Sequence, residues 1–290
     1  MKKLMTLVLS IALVFSLAAC SENEETDNTI ELGYQSWVDG IAMTHLTAAI
    51  LQDEMGYDTD ITQANLGPIF SDVASGNLDL MMHAWLPNTH ADYADQYSED
   101  WERLGTSYEG ARIGLVVPQY VDIDSISELN ANASEFDSTV VGIESGAGIM
   151  QNANTAMDTY DLESNGWDLQ ASSGPAMVAT LGDAIENEEW IVVTGWTPHY
   201  KFARYDLKFL DDPENVFGAS DNIVSIGRDG FSEDHPDVAQ MIDNIYLSDT
   251  QFGELAGLIA NDDDDTPYIE IARTWMDDNP DVWQDWVPEE

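Results

Sequence analysis

The sequence predicts an α/β protein whose two strand–helix lobes close on each other about a hinge. Short apolar runs alternate with helix-periodic stretches from Thr29 onward, the pattern of a mostly parallel sheet covered by helices. Three of those runs lead into a tryptophan that precedes a breaker: Trp37 before Val38-Asp39-Gly40, Trp85 before Leu86-Pro87-Asn88, and Trp196 before Thr197-Pro198. Two more runs, Arg112 to Pro118 and Ile223 to Gly227, are expected to cross between the lobes and return. Open α/β sheets bind ligands beyond the C-terminal ends of their strands, so the site is expected in the cleft.

Taken in order, Ile30–Ser36 reads as a strand and Ile41–Met55 as a helix, followed by a strand at Asp58–Gln63, a helix near Pro68–Ser75 and a strand at Leu78–Trp85. Leu-Pro-Asn-Thr cannot extend a ladder, because proline lacks an N–H, and Asn-Thr can open the helical stretch Ala91–Tyr97. After the Arg112–Pro118 crossing come short helices at Ser127–Leu129 and Ala133–Phe136. A strand at Thr139–Ile143 runs into the Gly-rich turn Glu144–Ile149 and a helix at Met150–Tyr160. A strand near Trp167–Gln170 precedes a helix at Pro175–Glu186 capped by Ser172 or Ser173, then a strand at Trp190–Thr194. The C-terminal part is helical, at Pro236–Tyr246, Asp249–Ile259, Tyr268–Met276 and near Val282–Trp286. On this reading one lobe comprises 29–114 with 226–290, and the other 115–225.

The chain has 290 residues, 44% of them hydrophobic, enough to build a core of ordinary size. Its formal charge is −46, from 9 basic and 55 acidic residues. Nucleic acid and anionic membrane surfaces repel such a chain, so neither is an expected partner. The acids are spread along the sequence, which fits a solvated acidic surface of the halophilic kind. The four aspartates after Asn261 lack the glycine and terminal glutamate of a calcium loop and read as a solvated turn, so no metal or cofactor is expected.

Lys2-Lys3, an apolar run from Leu4 to Ala19 and Leu17-Ala18-Ala19-Cys20 form a lipoprotein signal, too short to span a bilayer with its cleavage site at the only cysteine. Cleavage removes two lysines and no acid, moving the formal charge to −48. The expectation is a signal peptide at 1–19, an acylated Cys20 as membrane anchor, and a flexible tether through Asn28. That places a monomer outside the cytoplasm, lipid-anchored to the outer face of the cytoplasmic membrane, the periplasmic side in a cell with two membranes.

Three indoles facing one point make an electron-rich box. A quaternary ammonium cannot donate a hydrogen bond, and it is held there by cation–π attraction of about 0.5–2 kcal/mol per ring. Trp37, Trp85 and Trp196 are the candidate walls. The helix start at Gly148 and Ile149 leaves backbone N–H groups for an anion, and His90 can add a side-chain donor. A small zwitterion with a methylated ammonium and a carboxylate fits both halves.

The stretches Trp37-Val38-Asp39-Gly40-Ile41-Ala42, Ala84-Trp85-Leu86-Pro87-Asn88-Thr89-His90, Gly146-Ala147-Gly148-Ile149-Met150 and Gly195-Trp196-Thr197-Pro198-His199 resemble the glycine betaine-binding proteins of osmoprotectant ABC importers, of the OpuAC type. The resemblance runs from Thr29 to Trp286. It implies a two-lobed periplasmic-binding-protein fold of type II, with a hinge and an inter-lobe ligand cleft. It further implies an aromatic box of Trp37, Trp85 and Trp196, with Gly148, Ile149 and His90 donating to the ligand carboxylate. The ligand would be glycine betaine or proline betaine, delivered to a membrane permease for osmoprotection. The unusual acidity departs from the family pattern, and Tyr200 is assigned no ligand role.

Two rival readings differ in chemistry. Ser145 in Glu-Ser-Gly superficially offers a nucleophile, but Ile143 stands where the Gly-x-Ser-x-Gly turn needs glycine and no paired base can be named, so no enzyme is expected. A sugar-binding surface lipoprotein would also use tryptophans, but on an open platform rich in side-chain amides.

Overall fold

The computed structural model describes residues 28–97, 99–262 and 264–289; the signal segment, Cys20 and all of the tether but Asn28 lie outside them. The first half runs β1 (Thr29–Tyr34), α1 (Val38–Asp53), β2 (Asp58–Gln63), α2 (Leu66–Ala74), β3 (Leu80–Leu86), α3 (Ala91–Gln96) and β4 (Trp101–Pro118). A 3₁₀ run at Ile126–Phe136 leads to β5 (Thr139–Val141), α4 (Gly148–Thr159), β6 (Asp168–Gln170), α5 (Gly174–Glu186), β7 (Val192–Thr197), α6 (Lys201–Arg204), β8 (Leu207–Phe209) and β9 (Asp221–Arg228). Five helices follow: α7 (Phe231–Asp234), α8 (Pro236–Asn244), α9 (Asp249–Ala260), α10 (Tyr268–Asp278) and α11 (Pro280–Trp283).

The strands form one hydrogen-bonded path, β2-β1-β3-β9-β4-β7-β5-β6, with β8 beside the end of β4. The β1–β2 and β1–β3 pairs are parallel, as are β5–β6 and β5–β7, so each side of the molecule is a small parallel sheet. β4 and β9 join them. β4 pairs antiparallel with β9 from Trp101 to Ala111, then with β7 from Arg112 to Val116. The strands expected at Arg112–Pro118 and Ile223–Gly227 lie within β4 and β9, although β4 is far longer than Arg112–Pro118.

The unforeseen length of β4 has a physical cause. Its register against β9 shifts at Arg103/Gly105, Thr106/Tyr108 and Glu109/Ala111. Each irregularity displaces the two-residue period, so the sequence shows no clean apolar–polar alternation there. Gly105 is required by packing, since a Cβ there would come within 2.7 Å of the Ile242 carbonyl oxygen on α8.

α1 is buried on almost every side, between the β1–β3 strands and the C-terminal helices α9 and α10. That accounts for its apolar composition all round. Ser173, not Ser172, caps α5, accepting from the Ala176 N–H, and Ser248 forms a capping box with Gln251 on α9. α4 starts at Gly148, two residues ahead of the expected helix, with Ala147 as a cap that offers no side-chain acceptor. The first backbone donors of α4 are therefore left for something else.

Candidate functional site

Trp37 is the N-cap of α1, Trp85 lies at the end of β3, His90 precedes α3, Gly148 and Ile149 open α4, and Trp196 stands near the end of β7. All six line a single cavity of about 280 Å³, counting the part open to solvent, together with Asp39, Thr89, Ile113, Ile143 and Ala147. All six sequence-derived candidates thus line one cavity, although they come from four separate stretches of chain.

The indole N–H groups are engaged by protein acceptors. Trp37 Nε1 donates to Glu144 Oε2 at 3.0 Å, and Trp196 Nε1 donates to Asp39 Oδ2 at 3.1 Å. His83 Nε2 lies 2.9 Å from the same Asp39 oxygen, and Trp85 Nε1 approaches the His83 ring, 3.2 Å from Nε2 and 3.4 Å from Nδ1. Anchored by their N–H edges, the rings are fixed in orientation. A hydrogen bond from an indole to a carboxylate also leaves that ring more electron-rich, which favours a cation on its face.

His90 is buried, and its Nδ1 accepts from the Trp85 backbone N–H at 3.0 Å. Burial, assisted by the neighbouring His83, pushes its pKa down to about 3, so the ring is neutral. Because Nδ1 is an acceptor, the proton resides on Nε2, for which the described residues supply no acceptor. His90 is therefore a neutral donor facing the cavity it lines. The turn that carries it is held by buried Asp221, which accepts from the Asn88 N–H at 2.6 Å and from the Thr89 N–H at 3.0 Å.

The two sides of the cleft touch. Gly148 lies so close to the Thr89 carbonyl that a Cβ would collide with it, and Tyr93 Oη donates to the Gly146 carbonyl at 2.9 Å. Glu144 also accepts from Ser36 Oγ at 3.2 Å. The cavity is thus closed by direct contacts between the residues after β5 and those around β1, β3 and α3.

Asp39, Glu144 and Asp221 were not among the residues singled out from sequence, and His83 reads from sequence as a structural residue of its strand. Asp39 stands inside one of the stretches that carry the resemblance and Glu144 opens the Gly-rich turn, but among 55 acidic residues a single carboxylate carries no signal. What distinguishes Asp39 is full burial, with Oδ1 lacking any protein partner. His199 packs edge-on to Trp196 at 4.7 Å and Tyr200 stacks on His199; neither lines the cavity.

The arrangement can hold a small ligand with a diffuse positive head among the three rings, above the Asp39 carboxylate, and an anionic end at the α4 N–H groups and His90. Comparison with known proteins agrees in kind. A family model described as the OpuAC substrate-binding domain of ABC-type glycine betaine transport systems matches residues 28–278. The glycine betaine/carnitine transport binding protein GbuC of Listeria monocytogenes is 44% identical over 149 residues, 51% of this chain and about half (49%) of that protein. Among solved structures, the lactococcal OpuAC complexed with glycine betaine, closed and liganded, is 33% identical with a TM-score of 0.81, covering 90% of this chain and 99% of that one. The glycine/betaine/L-proline-binding protein ProX from Borrelia burgdorferi is 32% identical with a TM-score of 0.84, covering 90% and 97%.

Proposed function

Because this chain belongs to the OpuAC family of substrate-binding domains, which are two-lobed solute-binding proteins of ABC transporters and not enzymes, we propose that it captures glycine betaine or a related methylated zwitterion. Trp37, Trp85 and Trp196 box the ammonium, with Asp39 supplying charge. Gly148 and Ile149 donate backbone N–H groups to the carboxylate, and His90 donates from Nε2. The observation that carries this reading is one small cavity shared by three indoles, whose N–H groups are engaged elsewhere, and by the free N-terminus of α4. Three rings and two or three charge-assisted hydrogen bonds, at about 1.5–3 kcal/mol each, reach roughly the −8 kcal/mol of micromolar binding.

The lobe division is proposed where the strand pairing changes, between Ala111 and Arg112 and again at Asp221, a few residues ahead of the 114/115 and 225/226 divisions expected from sequence. Delivery to a membrane permease, acylation at Cys20 and an extracytoplasmic, anchored monomer belong to the same proposal and rest on the N-terminal sequence and the family. Among the described residues no helix is long and apolar enough to cross a membrane.

Calorimetry on the chain beginning at Ser21 tests the reading with glycine betaine, proline betaine, carnitine, choline and maltose. Micromolar binding of the betaines with none of maltose is expected, and weaker binding of choline, which lacks the carboxylate. Maltose binding, or silence toward every ammonium, overturns it in favour of a sugar-binding surface protein or another ligand.

A further inference from the structure

Lys201 is fully buried, and its ammonium lies 4.0 Å from the ring centre of Trp196. Its one hydrogen-bond partner among the described residues is the Trp196 carbonyl, at a long 3.5 Å. Trp196 lines the ligand cavity, whereas Lys201, in contact with the same ring, is not among the residues that line it. The binding scheme proposed above gives this lysine no task.

Resting on that scheme, we propose that Lys201 is a resident cation on Trp196 that sets the affinity of the box: it weakens capture of an ammonium while protonated, and it gives up that proton when the ligand binds. The physical reason is like charge at short range. With Nζ 4.0 Å from the ring centre, a ligand ammonium at a similar distance from the same ring would lie within about 8 Å of it. In a medium of effective dielectric near 20, two unit charges at that separation repel strongly enough to change affinity by roughly tenfold or more. The proton passes to solvent, leaving a neutral amine against the same ring.

The surroundings allow the lysine to titrate. Burial pushes its pKa down to about 7, with Asp39 opposing the shift. Asp39, on α1, accepts from Trp196 Nε1 and is itself bound by His83. His199 accepts the Lys201 backbone N–H through Nδ1, and burial together with Lys201 holds it well below the ordinary histidine range. Tyr200, raised by burial, and Arg204 flank it on its own element. His90, at about 3, keeps one state across the neutral range.

The sign follows directly. Below pH about 6 the lysine is charged and affinity is low; affinity rises through neutrality and levels off above pH about 8.5. Glycine betaine titrations of the wild-type chain from pH 6 to 9 should show this roughly tenfold rise. At pH 7, heats measured in buffers of different ionisation enthalpy should show net proton release. Lys201→Met should bind at pH 6 as tightly as the wild type at pH 8.5, with a flat profile and no buffer dependence. A slope that persists in Lys201→Met overturns the assignment. So does a wild type that binds with a flat profile and no proton release, a measurement that does not depend on the variant folding. Failure of wild type and Lys201→Met alike to bind any betaine at any pH instead overturns the box itself, and this inference with it.

Discussion

Trp37 and Glu144, 107 positions apart, meet across the cleft: the indole Nε1 donates to Glu144 Oε2 at 3.0 Å. Trp37 caps α1 on the β1–β3 side, and Glu144 precedes α4 on the β5–β7 side. Their bond can form only when those two sides are together, so it ties the orientation of one box wall to closure.

Glu144→Ala should therefore release glycine betaine faster, by roughly three- to tenfold, the effect of losing a bond of about 1 kcal/mol. Glu144→Gln retains an acceptor oxygen and should recover most of the loss. Stopped-flow tryptophan fluorescence reads the release rate, and an unaltered rate in the alanine variant would show that the contact is incidental.

Gly148→Ala and Gly146→Ala form a matched pair. A Cβ at 148 collides with the Thr89 carbonyl, whereas at 146 it meets nothing within 4 Å. The first should hold the cleft open and cost at least tenfold in affinity, and the second should bind as the wild type does. Small-angle scattering with saturating ligand checks closure directly.

Trp85→Ala should abolish detectable glycine betaine binding, because it removes a ring that lines the cavity and frees His83. Trp283 is buried elsewhere, with its Nε1 on the Met276 carbonyl. Trp283→Ala should lower stability by about 3–5 kcal/mol, as core truncations do, with affinity kept in whatever remains folded. Equal affinities in the two variants would remove the box from consideration.

With a formal charge of −46, the melting temperature should rise as salt increases from about 0.05 M toward molar concentration. The Debye length shortens over that range from more than 10 Å to about 3 Å, so acid–acid repulsion on the folded surface is screened. Calorimetric scans across the series measure this. A constant melting temperature would mean that the acids are too far apart to matter.

The three tryptophans, His90 and the α4 start could be found in the sequence because each rests on a short contiguous signal: a β-rich run, a breaker that stops it, and a helix opening beside it. Where those signals stop, so does the reading. The Trp101–Ala111 half of β4 was hidden because its bulges displace the alternation that marks a strand. The choice between Ser172 and Ser173 as the α5 cap was open because both stand one turn ahead of the same apolar run; Ser172 instead donates to the Gly142 carbonyl.

By itself the sequence determined the α/β alternation and the residue types that wall the cavity, since periodicity, propensity and turn chemistry act over a few neighbouring residues. Only the tertiary structure decided which of many similar acids serve the site and which lysine is buried. Asp39 differs from the other carboxylates, and Lys201 from the other cations, through desolvation and through partners such as Trp196 that lie far along the chain. Those energies depend on what the fold brings alongside, which no local stretch encodes.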